Sequence, residues 1–301
     1  MKQVINKAIH TLIPSGISIM LVGLMAFPSC TSHNLQSDSE DPDIMKFQVL
    51  HPDAADSRAT ETGFENNDRI GLFVTEEKSL LQIGGNYVNN AKLTYTAPDW
   101  KTETPVYWNN GTYDVYAYAP YSQSINSISD YQFSVALDQT SQGYNESDFL
   151  FASAKSQTAS AAGVPLQFRH CMSRVCIRLV KGRDYDGDLP DDAKVYIHNT
   201  VPQATIDLSA GIATKYMYGR EATIIARNEG NHKFGAILVP QRIDRRRPLF
   251  EVVMNGVAYL VEDNFVFRMG MCHTISLVIS KAPEQVKIEI GGEIENWNKE
   301  Q

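Results

Sequence analysis

The chain has 301 residues, 43% of them hydrophobic and 21% charged, ordinary globular values that exclude wholesale disorder and fibrous repeats. Its length suggests two domains, at about 150 residues each. Its 27 basic and 35 acidic residues give a formal net charge of −8, which argues against a dedicated nucleic-acid binder, since that needs a basic stripe to neutralise phosphates.

Lys2 and Lys7 open the chain, and no acid occurs before Asp38. An apolar run follows from Ile17 to Phe27. A spanning helix needs roughly 20 apolar residues, so this shorter run has the dimensions of a signal-peptide h-region. It leads into Ala26-Phe27-Pro28-Ser29-Cys30, a small residue before a cysteine. That ending resembles a bacterial lipobox, although Phe27 and Pro28 are not its usual residues. In this reading residues 1–29 are removed and Cys30 becomes a lipidated N-terminus. Its acyl chains, palmitate among them, then hold the protein on the outer membrane. An ordinary signal peptide or a short anchor with an incidental cysteine is the alternative.

Residues 30–45 read as an acidic tether. Thr31 to Asp43 is TSHNLQSDSEDPD, with one leucine and no aromatic residue, too little apolar surface to fold. Its cluster of Asp38, Glu40, Asp41 and Asp43 resembles the acidic segment of surface-exported lipoproteins of the Bacteroides group. A solvated linker is the plainer reading.

Beyond residue 44 alternation dominates and no long segment keeps a helical period. Strands are expected at 46–51, 69–74, 91–97, 105–108, 113–119, 131–137, 148–153 and 164–180. A second series is expected at 194–198, 203–208, 222–227, 233–239, 249–254, 257–262, 272–280 and 285–290. Asn109-Asn110-Gly111 and Asn255-Gly256 are hairpin-type turns. The fold class is therefore all-β, as two β-sandwiches in tandem, 46–182 and 190–301, divided at the polar segment Lys181 to Pro190. Within 164–180 the apolar positions change parity, from Val164, Leu166, Phe168 and Met172 to Val175, Ile177 and Leu179. The side-chain period of a strand is two, so a bulge or a change of sheet is expected near Ser173-Arg174.

No HExxH, GxSxG or phosphate-loop pattern occurs, so no catalytic residue, cofactor or metal site is expected and the chain reads as a non-enzyme. Asp184, Asp186 and Asp188 faintly resemble a calcium loop. Counted from Asp184, however, positions six and twelve are Leu189 and Val195 where glycine and glutamate are required. His170 reads as a hydrogen-bonded core histidine. Of Cys171, Cys176 and Cys272, one pair could bridge in an oxidising compartment, but spacing does not choose among the pairings. Buried thiols are the default. Tyr113, Tyr116, Tyr118 and Tyr121, with Trp100 and Trp108, suit a sandwich core better than a sugar-stacking surface. Arg245-Arg246-Arg247-Pro248 reads as a solvated basic turn.

Several segments, taken in order, resemble the fimbrillin family of Bacteroidales, the Mfa-like and FimA-like fimbrial proteins. They are Ser57-Arg58-Ala59-Thr60 with Asp68 to Phe73, Pro105 to Trp108, Tyr113 to Tyr121, Ser147 to Ala152, Leu166 to His170, and Gly270 to Leu277 leading to Ile294 to Trp297. The resemblance implies two transthyretin-like sandwiches, lipoprotein export, and assembly with other fimbrial subunits at the cell surface to support adhesion to a host protein or glycan. It also implies that an arginine-specific protease removes an N-terminal strand, and that a neighbour's strand, commonly C-terminal, fills the vacated groove. Anchor and tip subunits share the fold without all being cut.

The residues offer candidates for each part. Phe47 and Val49 share one face of the first strand, and Val286, Ile288 and Ile290 share one face of the last. Either segment suits a sandwich lacking one strand. Arg58 lies in Asp53 to Thr60, where no apolar residue is larger than alanine, as an exposed loop would be, and Arg58-Ala59 is the candidate cleavage point. An ordinary loop arginine fits the same stretch. The expected function is a structural fimbrial subunit, whether stalk, tip or anchor. The alternative is a monomeric surface lipoprotein that binds a glycan or protein.

Overall fold

The computed structural model describes residues 43–52, 63–244, 247–282, 287–289 and 294–297. In chain order its elements are β1 (Phe47–Leu50), β2 (Arg69–Glu76), β3 (Val88–Thr96), β4 (Asp99–Thr102), β5 (Tyr113–Ala119), β6 (Tyr131–Ser134), the short helix α1 (Gln142–Glu146), β7 (Leu150–Gln157), β8 (Val164–Gln167), β9 (Arg169–His170) and β10 (Ser173–Lys181). They continue as β11 (Lys194–Thr200), β12 (Gln203–Asp207), β13 (Ile212–Lys215), β14 (Ala222–Ile225), β15 (Arg227–Gly230), β16 (Lys233–Leu238), β17 (Gln241–Ile243), β18 (Pro248–Met254), β19 (Val257–Glu262), β20 (Phe265–Phe267), β21 (Met271–Ile279), β22 (Lys287–Glu289) and β23 (Ile294–Asn296).

One sheet runs β4-β3-β2-β5-β7-β9. Its middle strands carry continuous apolar runs because both faces are covered. On one face Ile70, Leu72, Val74, Val115, Ala117, Leu150 and Ala152 form a core with Val164, Leu166 and Phe168. On the other, Phe73, Tyr116, Tyr118 and Phe151, with the neighbouring Phe149, join a second core. Gly71 shows how closely this second face is filled: it lies opposite Tyr118, and a methyl group there would fall 2.1 Å from the tyrosine ring.

The second core is a sandwich. One layer is the mixed sheet β15-β16-β10-β21, extended by β22 and β23, and the other is β14-β11-β18-β19. Val175, Ile177 and Leu179 of β10, with Ile275 and Leu277 of β21, belong to one core with Val195 and Ile197 of β11 and Phe250 and Val252 of β18. The sheet β13-β12-β6 reaches toward the first half, where Tyr131 and Phe133 of β6 touch Phe149.

Residues 164–181 serve three sheets, as the parity change requires. β8 pairs with β1, β9 with β7, and β10 with both β16 and β21. The buried parity changes through Cys171, Met172 and Ser173, all of them buried, next to the expected step at 173–174. β6 and β10 precede the polar segment 181–190, yet both pair with strands beyond it.

Other expectations shift. Residues 105–108 make no strand and contribute one bridge, Tyr107 to Ile44. β4, β13, β17 and β20 fall where no strand was expected, because three or four residues are too few to display alternation.

Candidate strand-exchange sites at the chain ends

The N-terminal strand lies between two backbone edges. On one side the Trp108 amide donates to the Asp43 carbonyl at 2.6 Å, and the Met45 amide donates to the Val106 carbonyl at 2.7 Å. On the other, Val164 donates to the Lys46 carbonyl at 2.8 Å and Phe168 to the Leu50 carbonyl at 3.0 Å. β1 runs parallel to β8, with Phe47 opposite Val164 and Val49 opposite Leu166. Phe47 and Val49 are half-buried against the first core. Met45, two residues earlier on the same face, is only 2% exposed and is the deepest anchor of the strand. The sequence reading began the apolar face at Phe47 and so missed Met45. Period two extended back by one step would have found it.

The C-terminal run lies along one edge of β21. β22 pairs antiparallel to it with Ile288 opposite Leu277, and β23 pairs antiparallel with Ile294 opposite His273. Both strands therefore run the same way along β21. Trp297 closes the run. It is buried, and its amide donates to the Gly270 carbonyl at 2.8 Å. Its indole stacks on His170 with centroids 3.6 Å apart and planes 9° from parallel.

His170 is thus a junction. Its Nδ1 sits 2.9 and 3.0 Å from the two Asp148 carboxylate oxygens, and its ring meets His51 edge-on at 6.2 Å. His51 in turn meets Phe64 at 4.9 Å, and Phe64 packs edge-on against Trp100 and Phe168. One imidazole links the end of the first strand, the change of sheet and the end of the last strand. Sequence identified His170 as a core residue, but its neighbours come from positions more than 100 residues apart.

Cys30, Arg58, Ala59, Val286 and Ile290 lie outside the described residues. Ile288 is placed by its backbone pairing alone. His51 and Phe64 touch each other across the stretch that contains Arg58.

Tyr113, Tyr116, Tyr118 and Trp108 are all buried, so they build core rather than a sugar-stacking surface. A polar cavity of about 520 Å³ lies elsewhere, lined by His198, Asn199, Glu221, Thr223 and Glu251 among others. His198 Nδ1 is 2.9 Å from Thr223 Oγ1, and its Nε2 is 2.8 Å from Glu251 Oε2. This hydroxyl–imidazole–carboxylate row crosses three neighbouring strands, β14, β11 and β18. Residues so far apart in sequence form no motif, and the row was not anticipated. In the acidic segment, Asp186 pairs with Lys281 at 2.9 Å, and the Lys281 amide approaches Asp184 at 3.3 Å.

The arrangement of a strand held between two edges can be compared with known proteins. A family model described as fimbrillin-like matches residues 57–297. The chain belongs to the fimbrillin-like family. Among solved structures, this fimbrillin-like chain is similar to a Bacteroides uniformis protein provisionally assigned to cell adhesion. The TM-score is 0.66 at 20% identity, covering 85% of this chain and 100% of that one. A Bacteroides ovatus protein with the same provisional assignment matches with a TM-score of 0.64 at 19% identity, covering 86% and 97%. A fimbrial protein from Bacteroides vulgatus matches with a TM-score of 0.51 at 13% identity, covering 85% and 99%. At these identities the likeness concerns the fold. A comparison with curated protein sequences finds no match.

Proposed function

We propose that this fimbrillin-like chain is a fimbrial subunit that accepts a neighbour's strand in the groove now filled by residues 43–50. In this reading the chain is exported as a lipoprotein through Cys30 and cut between Arg58 and Ala59. The observation that carries the proposal is the position of the first strand, bonded on one side to 106–108 and on the other to 164–168. Its removal would expose two rows of backbone groups and the pockets that hold Met45, Phe47 and Val49, a template for strand addition. Burial of those three side chains, one fully and two in part, is worth roughly 3–6 kcal/mol. That is comparable with the net stability of a domain, about 5–15 kcal/mol. An emptied groove would therefore draw in a replacement strand.

The tandem arrangement of transthyretin-like sandwiches, nominally 46–182 and 190–301, belongs to the same proposal, with β6 and β10 lent by the first stretch to the second core. The C-terminal run packs on its own β21 and buries Trp297. This favours an end subunit, tip or anchor, over a stalk subunit, which must both accept a strand and donate one.

Treatment of the isolated protein with an arginine-specific protease tests the reading. The expected products are a chain beginning at Ala59 and an N-terminal fragment that stays bound until a donor subunit displaces it. Arg58→Ala should block both. Assembled fimbriae in which this subunit still begins at Cys30 would rule the cleavage out.

A further inference from the structure

Three cysteines lie within the described residues, and the structure separates them. Cys171 is fully buried and its Sγ donates to the Gly211 carbonyl at 3.2 Å. Burial pushes its thiol up to about 12. Thiol–disulfide exchange needs a thiolate, so Cys171 is held inert.

Cys176 on β10 and Cys272 on β21 are differently placed. Both are half-buried, and their Sγ atoms are 3.2 Å apart. The two strands are parallel neighbours, with Arg174 opposite Cys272 and Cys176 opposite Thr274. The thiols thus meet along the diagonal between two paired positions. They lie on the face of β10 away from Val175, Ile177 and Leu179, which point into the sandwich core. Arg174 shares their face. Its guanidinium is 3.7 Å from Glu229 and 6.0 Å from the Trp297 ring. The hydrogen bond with Cys272 pulls the Cys176 thiol down to about 7, against burial and with help from the Arg174 charge. A thiol in that range is a competent attacking group near neutral pH.

We propose that Cys176 and Cys272 form a disulfide that staples β10 to β21, made by exchange with an external disulfide after export. Oxidation after export presupposes the proposed lipoprotein export; the pairing itself does not. The Cys176 thiolate attacks one sulfur of the external disulfide, forms a mixed disulfide and expels one thiolate. Cys272, deprotonated, then attacks Cys176 Sγ, closes the internal bond and expels the second. The two cysteines are oxidised, the external disulfide is reduced to two thiols, and the protons lost by the pair are taken up by those thiols. The sulfurs must approach by roughly 1 Å to reach bonding distance. The staple lies on the edge of β21 away from β22 and β23. It would hold β21 in register with β10 whether the C-terminal run is docked or displaced.

The test uses the full chain made in a reducing cytoplasm, equilibrated with oxidised glutathione, alkylated in denaturant and mapped by mass spectrometry. The expected result is a linked pair of peptides containing Cys176 and Cys272, two hydrogens lighter than the separate peptides, with Cys171 alkylated. The link should disappear in Cys176→Ser and in Cys272→Ser and persist in Cys171→Ser. Recovery of Cys176 and Cys272 only as alkylated thiols or as separate glutathione adducts would overturn the pairing. The same mapping on protein isolated from its own cells separates the two ideas. A link that forms with glutathione but is missing from the cellular protein would overturn oxidation after export while leaving the pairing intact.

Discussion

Single residues show how closely the sheets are packed. Gly71 leaves no room for even a methyl group beside Tyr118, whose hydroxyl donates to Asn90 and is met by the Ser122 amide. Gly71→Ala should cost about 1–3 kcal/mol, as overpacking does, and urea denaturation would measure it. His273 offers a second test at this scale. Burial, and then the Arg268 charge, lowers its pKa to about 4 from 6.5, and its Nε2 accepts the Arg268 amide. The unfolded chain therefore binds a proton more readily than the folded one between pH 6.5 and 4, and stability should fall as the pH is lowered through that window. The full shift corresponds to about 3 kcal/mol, an upper bound. His273→Gln should flatten this dependence in denaturation curves recorded from pH 4 to pH 7. Neither effect was legible beforehand, because a glycine in a strand and a histidine in an alternating run do not announce their neighbours.

At the scale of elements, the two terminal strands carry the functional argument. A synthetic peptide of residues 43–52 should bind the protease-treated chain once its own N-terminal fragment has been removed in denaturant and the chain refolded, while the same peptide with Met45→Asp should bind about tenfold more weakly or worse, since Met45 is nearly fully buried and a charge there would go unpaired. Fluorescence anisotropy would measure both. Trp297→Ala should remove the stacking on His170 and cost about 3 kcal/mol. Amide exchange of β23 should rise more than that of β10. The strand face with Phe47 and Val49 and the parity change close to Ser173 could both be read from period-two alternation. The three- and four-residue strands and the stacking of Trp297 on His170 could not, because the first lack a period and the second joins distant positions. The aromatic residues of β5 were expected to prefer the core, and they do; what alternation could not say is that they fill two different cores.

Across the whole described body, the sheet β4-β3-β2-β5-β7-β9 is covered on both sides, and Phe149 meets Tyr118, Tyr131 and Phe133 where the two halves join. Phe149→Ala should cost about 3–5 kcal/mol and lower the stability reported by probes in both halves together, since the cavity would open in the second core, where strands β5 and β7 of the first half meet β6 and the strands of the second. Coincident transitions followed by tryptophan fluorescence and by circular dichroism would check this. The polar segment near residues 181–190 marked where the chain leaves β10, but strand pairing crosses it. Local composition can locate an exposed connection; it does not reveal which strands are exchanged across it.

The parallel pairing of β1 with β8 also has a mechanical consequence. A pull directed along the axis of that strand loads its hydrogen bonds on both flanks at once instead of peeling them open one by one. A replacement strand seated the same way would share tension over its whole length, a useful property for a joint in a filament exposed to flow.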